Sequence, residues 1–78
     1  MIGIVDYGMG NLFSVSKALE RLNVPYFISD QQEDLLNADG LILPGVGAFK
    51  DAMNLLETTH LKETILTFAQ NGKPLLGI

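Results

Sequence analysis

Four short apolar runs punctuate the chain: Ile2-Gly3-Ile4-Val5, Val24 to Ser29, Gly40 to Leu43, and Pro74 to Ile78. Runs apolar on both faces are what a parallel sheet covered by helices requires. Between the first two, Leu12, Val15, Leu19 and Leu22 recur at helical spacing. They form one apolar stripe, with Lys17, Glu20 and Arg21 largely off it. Gly10 or Asn11 is placed to cap that helix. A short helix over Gln31 to Leu36 precedes the third run. Phe49 to Leu56 and His60 to Asn71 read as two helices before the fourth. Thr59 is placed to N-cap the second of these, and Gly72 to end it at C′, with Pro74 just beyond.

The order β-α-β-α-β-αα-β predicts an α/β domain: a parallel sheet with flanking helices and right-handed crossovers. A flavodoxin-like strand order of 2-1-3-4 follows as the expected topology. The first and third strands are then neighbours whose connections leave in opposite directions. The crevice beyond their C-terminal ends is the expected site. Two loops border it, Asp6 to Asn11 and Pro44 to Ala48, the most glycine-rich places in the chain.

At 78 residues the chain is one small domain or part of one. Hydrophobic residues make up 47% and charged residues 18%, enough to build a core. The longest uncharged stretches, Tyr7 to Ser16 and Gly40 to Phe49, are ten residues each. A membrane helix needs about 18 apolar residues. The first charge is Asp6, so the basic start of a secretory signal is missing. A net charge of −4 argues against a nucleic-acid or anionic-membrane surface. With no cysteine, these residues hold neither a disulfide nor a thiolate metal site. The last apolar run has no helix after it, and its strand would be an uncovered edge. Residues 1–78 therefore read as a piece of something larger, marginally stable when alone.

The first loop, Asp6-Tyr7-Gly8-Met9-Gly10-Asn11, supplies Gly-x-Gly between strand and helix. That is similar to the start of a dinucleotide fingerprint, and Asp30 lies where a ribose-binding acid would be. Phe13 stands where the third glycine belongs. The plainer reading is a tight turn needing positive φ. Tyr7 and Met9 are large side chains for such a loop; they either fold back onto the core or contact a partner. The second loop, Pro44-Gly45-Val46-Gly47-Ala48-Phe49, has two glycines that free the backbone to aim amides into the crevice. Such amides stabilise an oxyanion if a nucleophile is near; the plainer reading is a turn opening a helix. The fourth run, ending Leu76-Gly77-Ile78, suits a sharp strand-to-helix turn that exposes a nucleophile. His60 has no obvious acidic partner and reads as a solvated surface residue. Asp6 suits a cation site of receiver type, but Pro44 stands where that site needs a second acid.

Three segments resemble one family. Ile2 to Leu12, with Ser14-Val15, resembles the N-terminus of the glutaminase subunits of imidazole glycerol phosphate synthase, class I (triad) glutamine amidotransferases. Leu43 to Phe49 resembles their oxyanion strand, and Lys73 to Ile78 the strand running into their nucleophile elbow. The resemblance implies a cytoplasmic enzyme of histidine biosynthesis that hydrolyses glutamine to glutamate and ammonia. It passes ammonia to a cyclase subunit, a (β/α)8 barrel that makes imidazole glycerol phosphate and an aminoimidazole carboxamide ribotide. It implies no cofactor and no metal. It places Gly45, Val46 and Gly47 over the substrate amide and Asn11 facing the cyclase, with Tyr7, Gly8, Met9 and Gly10 in the same loop. The family's nucleophile cysteine is expected immediately after the position of Ile78, and its histidine and glutamate much further on. No catalytic residue is therefore expected among these 78, and His60 does not match the family's histidine. The rival readings are a small nucleotide- or phosphate-binding module built on Gly8 and Gly10, and a receiver-like module.

Overall fold

The first apolar run becomes an inner strand, β1 (Ile2–Val5), paired in parallel with a strand on either side. The computed structural model describes residues 1–78. Its other strands are β2 (Tyr26–Ser29), β3 (Gly40–Leu43) and β4 (Leu75–Gly77). All pair in parallel, in the order β2-β1-β3-β4. The helices are α1 (Leu12–Arg21), α2 (Gln32–Leu36), α3 (Phe49–Thr58) and α4 (Lys62–Gln70), with one 3-10 turn over Val46–Ala48. No helix is long and apolar enough to cross a membrane.

The sheet's two faces are unequal. Val5 and Leu41 point to the face where Leu35, Ala52, Leu56, Ile65 and Phe68 of α2, α3 and α4 close the main core. Gly3 sits between β2 and β3 on that side. A Cβ there would lie 2.7 Å from Phe27 Cζ and 2.9 Å from Leu41 Cδ2, so those two side chains meet across it. On the other face Ile4 and Ile42 are buried. Leu19 of α1 lines an apolar cavity of about 190 Å³ there with Ile2 and Ile42. The α1 stripe is only half covered: Leu12, Val15 and Leu19 are partly buried, and Leu22 is 71% exposed.

Several boundaries differ from expectation, each for a local reason. β2 begins at Tyr26 rather than Val24, because Pro25 has no N–H to give the ladder. Its carbonyl still accepts from Ile2 N at 3.3 Å. Thr59 does not cap α4. It closes α3, its Oγ1 donating to the Leu55 carbonyl at 2.7 Å, and Leu61 stands at the start of α4. His60 does not open a helix either. At φ 61° it is the left-handed residue of a Schellman turn. The His60 amide donates to Glu57 O and the Leu61 amide to Leu56 O, which tucks Leu61 into the core. Asn23, at φ 57°, ends α1 the same way. Gly72, at φ 80°, ends α4 as its composition predicts.

Candidate functional site

Both glycine-rich loops emerge at the C-terminal edge of the sheet, one after β1 and one after β3, which are neighbours. They interlock backbone against backbone. Gly10 (φ 82°) and Gly45 (φ 81°) face each other in left-handed conformations. A Cβ on Gly10 would lie 2.6 Å from Pro44 Cβ and 2.8 Å from Gly45 N. A Cβ on Gly45 would lie 2.8 Å from both Gly10 N and Met9 Cβ. Both positions need glycine for conformation and for space at once. The close approach that Gly10 permits is thus taken by the second loop. That favours the tight-turn reading of Gly8-x-Gly10 over a phosphate cradle.

Tyr7 ties the two loops from below. Expected among the partner-facing residues, it instead turns inward, is 1% exposed, and joins the main core. Its hydroxyl donates to the Pro44 carbonyl. Burial pushes the phenol above its ordinary value of 10.0, because the charged form would lose its hydration. Met9 is partly buried and packs against the same core. Gly8 and Asn11 are exposed. Asn11 caps α1, its side-chain oxygen accepting from Ser14 N at 3.1 Å.

The second loop clasps the end of the fourth strand. The amides of Gly45 and Val46 both donate to the Ile78 carbonyl, at 2.7 and 3.1 Å, and Ile78 N donates back to Leu43 O at 3.1 Å. The Val46 side chain covers Gly77, where a Cβ would meet Val46 Cγ1 at 3.1 Å. So two of the three residues expected to offer oxyanion amides spend them on the chain itself. Gly47 differs. Its amide has no acceptor in the chain, it is exposed, and nothing lies within 4 Å of where its Cβ would be. Of the Gly45, Val46 and Gly47 amides, Gly47 N alone is left free.

The largest cleft, about 550 Å³, lies elsewhere, between the β2–α2 link and the α3–α4 turn. It is lined by Asp30, Glu33, Asp34 and His60 among others, and Gln32 Nε2 donates across it to His60 O at 3.2 Å. His60 is exposed, as expected of a solvated histidine. No group of three or more histidines or acids is arranged to hold a metal ion. Sequence reasoning missed the Tyr7–Pro44 bond and the double acceptor at Ile78 O. A buried aromatic in a loop carries no periodic signal. Gly77, small at a strand end, hinted that something packs over it.

The parallel 2-1-3-4 sheet with helices on both faces defines the class: an α/β flavodoxin-like unit of the kind expected for the N-terminal part of an amidotransferase domain. No protein-family profile matches the chain. Curated relatives do. It is 62% identical over all 78 residues to imidazole glycerol phosphate synthase subunit HisH of Bacillus licheniformis. It is 63% identical to HisH of Geobacillus kaustophilus and 59% to that of Bacillus subtilis, again along its whole length. The chain spans 37% of the length of each of these relatives. It is homologous, residue 1 to residue 78, to the N-terminal part of HisH subunits.

Proposed function

We propose that the chain is the N-terminal part of the glutamine amidotransferase subunit of an imidazole glycerol phosphate synthase. The observation that carries this reading is the clasp at Ile78, with the unpartnered Gly47 amide beside it, in a chain about 60% identical to HisH. In the complete protein a cysteine thiolate attacks the glutamine carboxamide carbon. The tetrahedral oxyanion takes the Gly47 N–H, ammonia leaves, and water hydrolyses the thioester to glutamate. The chain supplies the oxyanion donor and the strand that presents the nucleophile. It contains no cysteine, so alone it is inactive. The first loop, with Gly8, Gly10 and Asn11 exposed and Met9 half-buried beside them, faces a cyclase (β/α)8-barrel subunit that receives the ammonia, in a cytoplasmic heterodimer.

The test is glutamate release from glutamine by the full-length protein carrying this segment, alone and with its cyclase. Turnover by the complex and none by the 78-residue chain is expected. A folded, cyclase-bound protein that releases no glutamate overturns the proposal. A third outcome, equal turnover by the 78-residue chain, would put the chemistry in the wrong place.

A further inference from the structure

We infer that Tyr7 is a positioning residue that locks the orientation of the oxyanion loop; the inference rests on the amidotransferase reading above. The Pro44–Gly45 peptide is trans and planar, so its C=O and N–H point in opposite directions. Both ends are held. The Tyr7 hydroxyl donates to the Pro44 oxygen, and the Gly45 N–H donates to Ile78 O at 2.7 Å. Rotating this plane breaks both bonds together. It also carries Gly45 away from φ 81°, the conformation that aims the Val46 amide at the same Ile78 oxygen. The direction of the next amide, Gly47 N–H, follows from these two.

Glycine is needed at residue 45, and it is also the residue least able to hold its own conformation. The hold comes from Tyr7. Its ring is anchored among Val5, Leu41 and other core residues. Packing at that position asks only for phenylalanine. A hydroxyl buried there costs free energy unless it is bonded, and the Pro44 carbonyl is the one partner it has. The bond spans 37 positions of sequence and joins the two loops that border the site. The hydroxyl touches no reacting atom; it acts through the Pro44–Gly45 peptide.

The experiment uses the full-length protein bound to its cyclase. Tyr7→Phe keeps the ring and removes the bond. It should lower kcat for glutamine hydrolysis roughly ten-fold, the rate equivalent of one net hydrogen bond, with KM changed less than about two-fold. Leu61→Ala, which empties a core position in the α3–α4 turn away from both loops and from the fourth strand, is the destabilising control. It should lower the thermal midpoint and leave kcat per folded molecule intact. If Tyr7→Phe behaves like that control, Tyr7 is structural only and the inference fails. Amide exchange gives a readout independent of turnover. In the wild type, Gly45 and Val46 amides should exchange as slowly as those of β3, and in Tyr7→Phe about ten-fold faster. Fast exchange in the wild type, or no change in the variant, overturns the lock. Absence of glutaminase activity in the wild type would instead refute the functional reading, while exchange still tests the lock.

Discussion

Replacing Gly47 with proline removes the one amide on the second loop that the chain does not use itself. No intrachain hydrogen bond is lost, because Gly47 N has no acceptor. The pyrrolidine ring meets open space, since nothing lies within 4 Å of the Cβ position. The backbone cost falls on Val46, which proline pushes away from the helical region of the 3-10 turn. If Gly47 N–H binds the oxyanion, loss of this donor removes about 3–4 kcal/mol of transition-state stabilisation, roughly 100- to 1,000-fold in kcat. KM should move far less, because the charge develops only in the transition state. Gly47→Ala keeps the N–H, and Gly47 is not in the left-handed region. Its effect on stability should stay within about 0.5 kcal/mol, with kcat near wild type. Gly45→Ala is the opposite case. It carries about 1–2 kcal/mol for a left-handed alanine, and about 1–3 kcal/mol more for overpacking against Gly10 and Met9. Near 3 kcal/mol, this is a fall of roughly 6–12 °C in thermal midpoint for a protein of relatives' size. Steady-state kinetics and thermal melts of the three full-length variants separate the effects. Unchanged kcat in folded Gly47→Pro protein would refute the oxyanion assignment. A Gly45→Ala variant as stable as wild type would refute the interlocked-loop geometry.

Other substitutions test the scaffold. Lys73 reaches back to donate to Leu36 O and Ala38 O, at 3.0 Å each, with its ammonium 5.4 Å from the Phe68 ring centre. Lys73→Met leaves both carbonyls without this donor and should cost about 1–3 kcal/mol in urea unfolding. His60→Gly relieves a left-handed residue in the α3–α4 turn and should stabilise by up to about 1 kcal/mol, visible as a raised thermal midpoint. Asp39 is paired with the N-terminal ammonium, which holds its carboxyl below the ordinary 3.8. A depressed acid stabilises the fold above its unfolded value and loses that contribution as pH falls below about 3.8. Asp39→Asn should therefore lower stability slightly at neutral pH and leave the acid end unchanged, flattening the acid limb of the stability–pH curve, as read by denaturant midpoints from pH 2 to 7.

The four strands and four helices were legible because each rests on a local cause. β1 and β3 fall on the expected residues, since short runs apolar on both faces have few other homes. Asn11 caps α1, and Gly72 ends α4, through side-chain and backbone chemistry confined to a few residues. Thr59 and His60 were misread for a related reason. A threonine before a helix and one after a helix look alike, and the Schellman turn that decides between them needs Leu61 to find Leu56 in the core.

At the site, the sequence by itself determined which loops carry the chemistry, because glycine pairs mark places where backbone must do what side chains cannot. It also determined that no cysteine nucleophile lies within these residues. Only the tertiary structure decided what each amide does. Gly45, Val46 and Gly47 look equivalent in sequence. They separate once β4 pairs with β3 and brings Ile78 O to the first two, leaving the third free. The same holds for Tyr7. An aromatic residue in a glycine loop reads equally as a surface contact or a core anchor. The choice is made by Pro44, 37 positions away, whose carbonyl is the acceptor that allows a hydroxyl to be buried. Local propensity reports the conformations a segment favours; which donor meets which acceptor depends on distances that exist only after the sheet has formed.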